Sequence, residues 1–250
     1  MSKYGWTPDT PDIRDHAFKV SKPIPLPPSI DLTPDCTPVY DQGQLGSCTA
    51  NAIGAAIQFC RRKQQLPHFA PSRLFLYYNE RAMEGTIASD AGAMIRDGIK
   101  CVARFGDCPE AEWPYDEAAF AQKPRPECYS VATHYQALQY QRIPQEINQI
   151  KQCLAEGFPF VFGFTVYDSF ETPFVAATGK MPMPEKFDTA VGGHAVMAVG
   201  YDDESQLLRV RNSWGDQWGQ AGYFVMPYEY ILNPNLADDL WSVRLIEVPA

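Results

Sequence analysis

The 250-residue chain lacks several features that would assign it to large classes of protein. It has no apolar run approaching the ~20 residues of a membrane-spanning helix. Its opening stretch, MSKYGWTPDTPDIRD, carries prolines and acids where a secretory leader needs apolar residues. The expected location is therefore cytoplasmic, with export by a route that needs no leader, or a trimmed N-terminus, as the other options. No Cys-x-x-Cys pair is present, so neither a metal site nor a cofactor is expected. Positive charge is sparse: 21 Lys and Arg stand against 30 Asp and Glu, a net charge of −9. Arg61-Arg62-Lys63 reads as the basic last turn of a helix, and no basic patch offsets the balance. Nucleic acid and anionic membrane are thereby excluded as main partners. Histidine is also scarce, with only His16, His68, His134 and His194 available as general bases.

What is present describes a folded globular protein. Hydrophobic residues make up 45% and aromatic residues 13%, enough for a substantial core in one domain or in two lobes sharing a cleft. Seven cysteines (Cys36, Cys48, Cys60, Cys101, Cys108, Cys128 and Cys153) are scattered along the chain. The odd number leaves at least one thiol outside any intramolecular disulfide. Cys101 and Cys108 are close enough in sequence to bridge, although buried free thiols are the plainer expectation. Residues 1–28 hold Pro8, Pro11, Pro23, Pro25, Pro27 and Pro28 and show little periodicity, which predicts an extended arm. Fully stretched it would reach ~80 Å, against a radius of gyration of ~18 Å for a chain of this length. It is long enough to lie across a distant cleft; a disordered tail is the alternative.

The spacing of apolar residues predicts helices over 48–63, after Pro71 through Ala82, over about 93–104 with Gly106 as C-cap, and from Pro144 as first helical residue to Glu156. The second half turns to strand periodicity. Phe158, Phe160, Phe162 and Phe164 alternate with Pro159, Val161, Gly163 and Thr165, so that Val161 and Gly163 face away from the phenylalanines. Further strands are expected at 194–201, 207–212, 222–226 and 240–247. Helices first and antiparallel strands later make an α+β chain.

One thiol stands out. Cys48 ends the turn-rich segment PVYDQGQLGSC and opens a long apolar helix. Unpaired N–H groups and the positive end of the helix dipole at that place favour a thiolate, which is the nucleophilic form. Such a nucleophile needs a base, an orienter for the base and donors for an oxyanion. His16 lies in the arm, His68 in a loop, and His134 in an aromatic stretch that predicts a packed structural role. His194 stands in GGHAVMAVGY, where glycines permit close backbone approach. Asn212 follows at the end of the next strand. A hairpin of 194–201 and 207–212 would bring its carbonyl to the imidazole, with Trp214 as a roof excluding water.

Three segments in this order resemble the papain family of cysteine peptidases: Pro38–Gly43 with Gly46-Ser47-Cys48, Gly193-His194-Ala195-Val196, and Asn212-Ser213-Trp214-Gly215 with Trp218-Gly219 and Gly222-Tyr223. The resemblance covers most of residues 29–250. It implies a two-lobed fold, with a helical lobe over about 29–133, an antiparallel barrel-like β lobe over about 134–250, and the active-site cleft between them. It assigns Cys48 as nucleophile, His194 as general acid and base, Asn212 as orienter, and the Gln42 amide with the Cys48 N–H as oxyanion hole. Trp214 is the supporting residue, and Gly46, Gly92, Gly163, Gly193 and Trp218 are the substrate-binding set. Gly163, with Gly192 and Gly193, falls near the pocket for the second residue before the cut, and a glycine there implies room for a bulky side chain. The implied partner is a protein or peptide substrate, and the implied state a monomer. An exopeptidase, amidase or acyl transferase would use the same residues, and an inactive binding protein of this fold is a further alternative. Leu45 stands where secreted relatives place a disulfide cysteine, and Thr49 replaces the usual aromatic residue after the nucleophile. The long family propeptide is not seen. The arm of residues 1–28 is expected instead to pack on the body as a short latch over the cleft.

Overall fold

In chain order, a short strand β1 (Ser29–Asp31) precedes four helices: α1 (Cys48–Lys63), α2 (Arg73–Glu84), α3 (Ile95–Phe105) and α4 (Pro126–Ala132). Then come β2 (Ala137–Arg142), α5 (Ile147–Ala155), β3 (Phe160–Tyr167), α6 (Pro173–Thr178) and β4 (Ala190–Asp202). The chain ends with β5 (Leu207–Arg211), β6 (Tyr223–Pro227), α7 (Tyr228–Leu232) and β7 (Ala237–Ile246). The structure, a computed structural model, describes residues 4–13, 15–18 and 24–247. The remaining positions of the expected arm lie outside the described residues.

Helix α1 is buried from Cys48 through Arg61, and the alanine- and glycine-rich middle of the helix is the reason. Small side chains let the sheet and α2 approach its axis from several sides, at the cost of lower helix propensity at Gly54. The three basic residues of its last turn complement the helix dipole. Helix α2 starts at Ser72, whose hydroxyl accepts the Phe75 N–H, and stops at Gly85 in a left-handed conformation. Helix α3 stops at Gly106, with φ +76.

The strands form one antiparallel sheet in the order β2-β7-β3-β4-β5-β6, with β1 added alongside β4. Strand β3 separates two cores. Val161 faces Ile53, Ala56 and Ile57 of α1, whereas Phe160, Phe162 and Phe164 face Ile150 and Leu154 of α5 and Phe224 of β6. The helical lobe and the β lobe therefore share β3 as a wall, and α1 runs along their junction. This is the α+β, two-lobed arrangement with a cleft between the lobes.

Some boundaries differ from expectation. The fourth long helix begins at Ile147, not at Pro144, because Pro144 O accepts the Glu146 N–H in a preceding turn and Gln145 is tied to Ile231 O and Ala237 O. Strand β4 starts at Ala190, four residues before His194, since Gly192 and Gly193 pair with Val166 and Thr165. Strand β2 was not anticipated; its polar Leu-Gln-Tyr-Gln-Arg run shows one face to water. His134 is exposed and, among the rings of the described residues, meets the edge of Tyr135, so its expected packed role is corrected. All seven cysteines are free thiols, and all but Cys36 are buried.

Candidate active site

The loop before α1 is tied down at three points. Gly43 turns with φ +63, and its N–H donates to Asp41 Oδ1 at 2.9 Å. The Gly46 N–H lies 3.0 Å from both carboxylate oxygens of Asp90, which also accepts from the Tyr77 hydroxyl. The Ser47 hydroxyl meets the Tyr115 hydroxyl at 2.5 Å. Cys48 follows as the first residue of α1 with no exposed surface. The nearby backbone N–H groups of Ala195, Gly5 and Thr49 favour its thiolate form. Burial nevertheless dominates and pushes the thiol up to about 12, with the nearby Glu80 carboxyl adding to the rise. In this closed arrangement, desolvation by burial outweighs the helix terminus and the nearby N–H groups.

Strand β4 brings His194 to the same place, one residue before Ala195. The imidazole is wholly buried, and its Nε2 lies 2.8 Å from Asn212 Oδ1. The same oxygen accepts the Ser213 N–H at 2.9 Å, which orients the amide with its carbonyl toward the ring. Trp214 stacks on the imidazole with centroids 4.8 Å apart and planes at 26°, and Phe164 meets it edge-on at 5.7 Å. The expected hairpin is present as β4 and β5, with Asp202 opposite Leu207 and Met197 opposite Arg211. Trp218 lies behind Trp214 in an aromatic cluster with Phe170 and Phe224, so its place is in support of that roof.

Gln42 is also fully buried. Its Nε2 donates to Leu45 O at 2.8 Å, and its Oε1 accepts from the Ser213 hydroxyl at 2.6 Å. Two bonds fix the plane of this amide, and a hydroxyl supplies one of them. Ser213 is a residue to which the sequence reading gave no role, although it stands inside the Asn-Ser-Trp-Gly motif.

The described part of the arm runs directly over these groups. Tyr4 packs edge-on against His194 and Trp214 and bonds through its hydroxyl to Glu171. Gly5 passes so close to Gly46 and Gly92 that a Cβ on Gly5 would fall 1.7 Å from Gly46 O, and one on Gly92 2.0 Å from Gly5 O. The N–H groups of Gly5 and Trp6 both reach Gly193 O at 3.0 Å. On the opposite wall the arm pairs in parallel with Ala93, which donates to Gly5 O at 2.7 Å and accepts from Thr7 at 3.1 Å. The backbone contact expected at Gly92 thus falls, for the arm, one residue later; Gly92 supplies the φ +74 turn that exposes it. The Trp6 indole fills a slot beside Gly163 and Gly193, where a Gly163 Cβ would lie 1.9 Å from the ring.

Further along, the arm is anchored by charge. Asp9 accepts from the Arg96 N–H and from Trp241 Nε1, each at 3.0 Å. Asp15 pairs with Arg96 at 2.7 Å and Arg142 at 3.3 Å, and Asp12 with Lys100 at 3.4 Å. Arg96 belongs to the helical side and Arg142 to the β side, so the arm spans both lobes. Of the residues expected to bind substrate, Gly46, Gly92, Gly163 and Gly193 gather along the arm, and Trp218 does not touch it among the contacts found.

A buried thiol at a helix start, a histidine held by an asparagine under a tryptophan, and a two-lobed α+β frame together define a papain-like cysteine protease architecture. The papain family cysteine protease model matches residues 26–238. The chain belongs to this family of hydrolases acting on peptide bonds. It is 43% identical over 248 residues to an uncharacterized peptidase C1-like protein of Acanthamoeba polyphaga mimivirus, covering 96% of this chain and 78% of that one. It is 29% identical over 225 residues to bovine pro-cathepsin H, covering 81% of this chain and 60% of that protein. Among solved structures, xylellain, a cysteine protease from Xylella fastidiosa, superposes with a TM-score of 0.93 at 49% identity, over 100% of this chain and 97% of that one.

Proposed function

We propose that the chain hydrolyses peptide bonds through a Cys48 thioester and that its N-terminal arm acts as a latch on that site. The observation that carries the catalytic reading is the His194–Asn212 contact at 2.8 Å beneath Trp214, one residue before Ala195, whose N–H favours the thiolate of the buried Cys48. With Nε2 committed to Asn212, Nδ1 is the nitrogen that exchanges the proton with the thiol. Cys48 Sγ attacks the peptide carbonyl carbon, forming the C–S bond. The oxyanion is stabilised by the Cys48 N–H and the Gln42 amide. His194 then gives its proton to the departing amine as the C–N bond breaks, and water deacylates the thioester with His194 as base. Trp214 excludes water from the His194–Asn212 bond and keeps the ring plane fixed.

The latch reading rests on Gly5 and Trp6, which occupy the space a substrate needs beside Cys48, Ala93 and Gly193. Lifting the arm removes the cover that keeps the thiol protonated, so exposure and activation of Cys48 go together.

The test is stoichiometric labelling of the full chain by an irreversible thiol-directed peptide probe, with Cys48→Ala as the blank. Wild type and Trp6→Ala are compared. The expected result is labelling that depends on Cys48 and runs at least tenfold faster in Trp6→Ala. Labelling absent from both proteins would end the peptidase reading; equal rates would end the latch reading alone.

A further inference from the structure

The two donors assigned to the oxyanion, the Gln42 amide and the Cys48 N–H, stand at either end of one loop. That loop holds Gly43 and Gly46, whose backbone freedom does nothing to fix the distance between them. On one side, Gln42 is tied to the segment after β5: its N–H donates to Ser213 O at 2.9 Å, beside the side-chain bond to the Ser213 hydroxyl. On the other side, the hydroxyl of the half-buried Tyr115 donates to Gln42 O at 2.8 Å. The same phenol oxygen lies 2.5 Å from Ser47 Oγ, and Ser47 shares its peptide bond with the Cys48 N–H.

Proton counting gives these contacts a direction. The Tyr115 hydroxyl has one proton and commits it to Gln42 O, so toward Ser47 it accepts and the Ser47 hydroxyl donates. Ser47 Oγ in turn accepts from Asn51 Nδ2 at 3.0 Å, and Asn51 Oδ1 accepts from Arg73 Nη1 at 3.0 Å. The chain therefore starts at a guanidinium of α2 and ends on the Gln42 carbonyl, each link donating to the next. Arg73 also reaches the far end: Nη1 donates to Asp41 O at 3.1 Å, and the guanidinium lies 4.1 Å from the centre of the Tyr115 ring. Two bonds to Glu110, at 2.9 and 2.8 Å, hold this cation in place. Gln42, Ser47 and Asn51 are buried, which shields the links from competing water, and bonds polarised in one direction strengthen each other. Burial pushes the Tyr115 phenol up to about 12, so it keeps its proton and remains a donor at neutral pH.

We propose that Tyr115 is a positioning residue for the oxyanion: by joining Gln42 O to Ser47, its hydroxyl holds the Gln42 amide at a fixed reach from the Cys48 N–H. This rests on the peptidase reading and deepens it, by naming what keeps the two donors in register. Preorganised donors stabilise an oxyanion only while both stay in place, and a displacement of ~1 Å can cost about 10²-fold. Removing the hydroxyl breaks the chain at its joint. Gln42 then keeps its ties to Ser213, Cys48 stays with α1, and the loop between them loses the bond that sets their separation.

The experiment uses the full chain, as wild type, Tyr115→Phe and Ser47→Ala, and reads two rates on each preparation. One is kcat/KM for a fluorogenic peptide, whose tetrahedral intermediate needs the oxyanion donors. The other is alkylation of Cys48 by iodoacetamide, in which the C–S bond forms as iodide leaves and no oxyanion develops. Their ratio cancels the folded fraction and the share of open clefts, because both reactions need the same exposed thiolate. Tyr115→Phe keeps the ring beside Arg73 and is expected to lower the ratio about tenfold, as a misplaced oxyanion donor should. Ser47→Ala cuts the neighbouring link and should lower it similarly, with the double variant losing little more than either. Affinity for a peptide aldehyde, whose adduct with the thiol puts an oxygen in the same place, should fall by the same factor as the ratio. In Gln42→Ala, adding Tyr115→Phe should leave the ratio unchanged. A wild-type ratio in Tyr115→Phe, or hydrolysis and alkylation falling together, would overturn the inference while leaving the peptidase intact. A wild type that neither turns over peptide nor is labelled at Cys48 would remove the peptidase reading and this inference with it.

Discussion

The Asp9 N–H donates to Asp239 Oδ2 at 2.8 Å, so a carboxyl group of the arm is buried beside a carboxyl group of the sheet. Burial and then the neighbouring Asp9 push Asp239 up to about 7, and burial raises Asp9 as well. Around the pair, the Asp9 N–H itself, Arg96, Arg142 and the Trp241 N–H favour the charged forms, whereas burial, Asp238, Asp97 and Glu84 oppose them and prevail. Glu84, half-buried, is itself pushed up to about 7. Docking the arm therefore raises the affinity of this cluster for protons. By linkage, the latch is strengthened by protonation and weakens as pH rises through about 7.

The first prediction concerns this pH response. The labelling rate of Cys48 in wild type, divided by that in Trp6→Ala to remove the intrinsic pH dependence of the thiol, should rise about threefold to tenfold from pH 6 to pH 8. Asp239→Asn should flatten the rise. A ratio that stays constant or falls over this range would contradict the carboxyl pair as the controlling element.

A second prediction follows from the Ser213 hydroxyl, which holds Gln42 Oε1 at 2.6 Å. Removing it in Ser213→Ala takes away one of the bonds that orient the amide, beside the one to Leu45 O, and lets it turn away from the developing oxyanion. Steady-state kinetics should show kcat lowered about tenfold with KM little changed, against about 10²–10³ for Gln42→Ala. Ser213→Thr should restore much of the loss because the hydroxyl returns. In a Gln42→Ala background, adding Ser213→Ala should cost almost nothing, since the two residues act as one unit. Additive losses would assign Ser213 a purely structural role.

How much of this was legible in the sequence depends on the range over which each feature is written. Cys48, His194 and Asn212 stand in short segments whose residues shape their own surroundings, and 18 positions separate the last two across one hairpin. The alternation around Phe162 and Gly163 likewise states which side of β3 faces which core, because a strand shows its period directly. The Trp6–Asp239 contact was not readable in that way. It joins residues 233 apart, and it exists because Gly163 has no side chain, which no local pattern reports. Asp239 itself reads as one of two acids after a turn, and only the left-handed backbone there turns it toward the slot. Helix α5 was misplaced for a related reason: Pro144 is a good first helical residue, but Gln145 is bound to two backbone carbonyls from elsewhere in the fold. The helix terminus at Cys48 is a local feature and so was legible, whereas the burial that outweighs it in this closed arrangement is not.

The last prediction concerns Glu80 on α2, the buried acid behind the nucleophile. Thr49, the residue that departs from the aromatic expected after Cys48, donates its hydroxyl to Glu80 Oε2 at 2.8 Å. Oε1 has no hydrogen-bond partner among the described residues, and a Cβ on Gly98 would lie 2.2 Å from it, so the carboxyl has no room to turn toward another donor. Burial pushes Glu80 up to about 8 from an ordinary value of 4.5. A group raised on folding contributes stability that is complete below its unfolded value and is lost as pH rises through its folded value, at about 1.4 kcal/mol per pKa unit. Wild-type stability should therefore fall between pH 5 and pH 8, and Glu80→Gln, which cannot ionise, should flatten that fall in thermal melts. At pH 8 the variant should melt at or above wild type, while at pH 5, where both side chains are neutral, the gap should close or reverse. Parallel melting curves across the range would mean that Glu80 is paired or hydrated in solution in a way this fold does not provide. The same titration reaches the thiol, because a charged Glu80 raises Cys48. Glu80→Gln should consequently speed Cys48 labelling in the Trp6→Ala background most at pH 8 and least at pH 5.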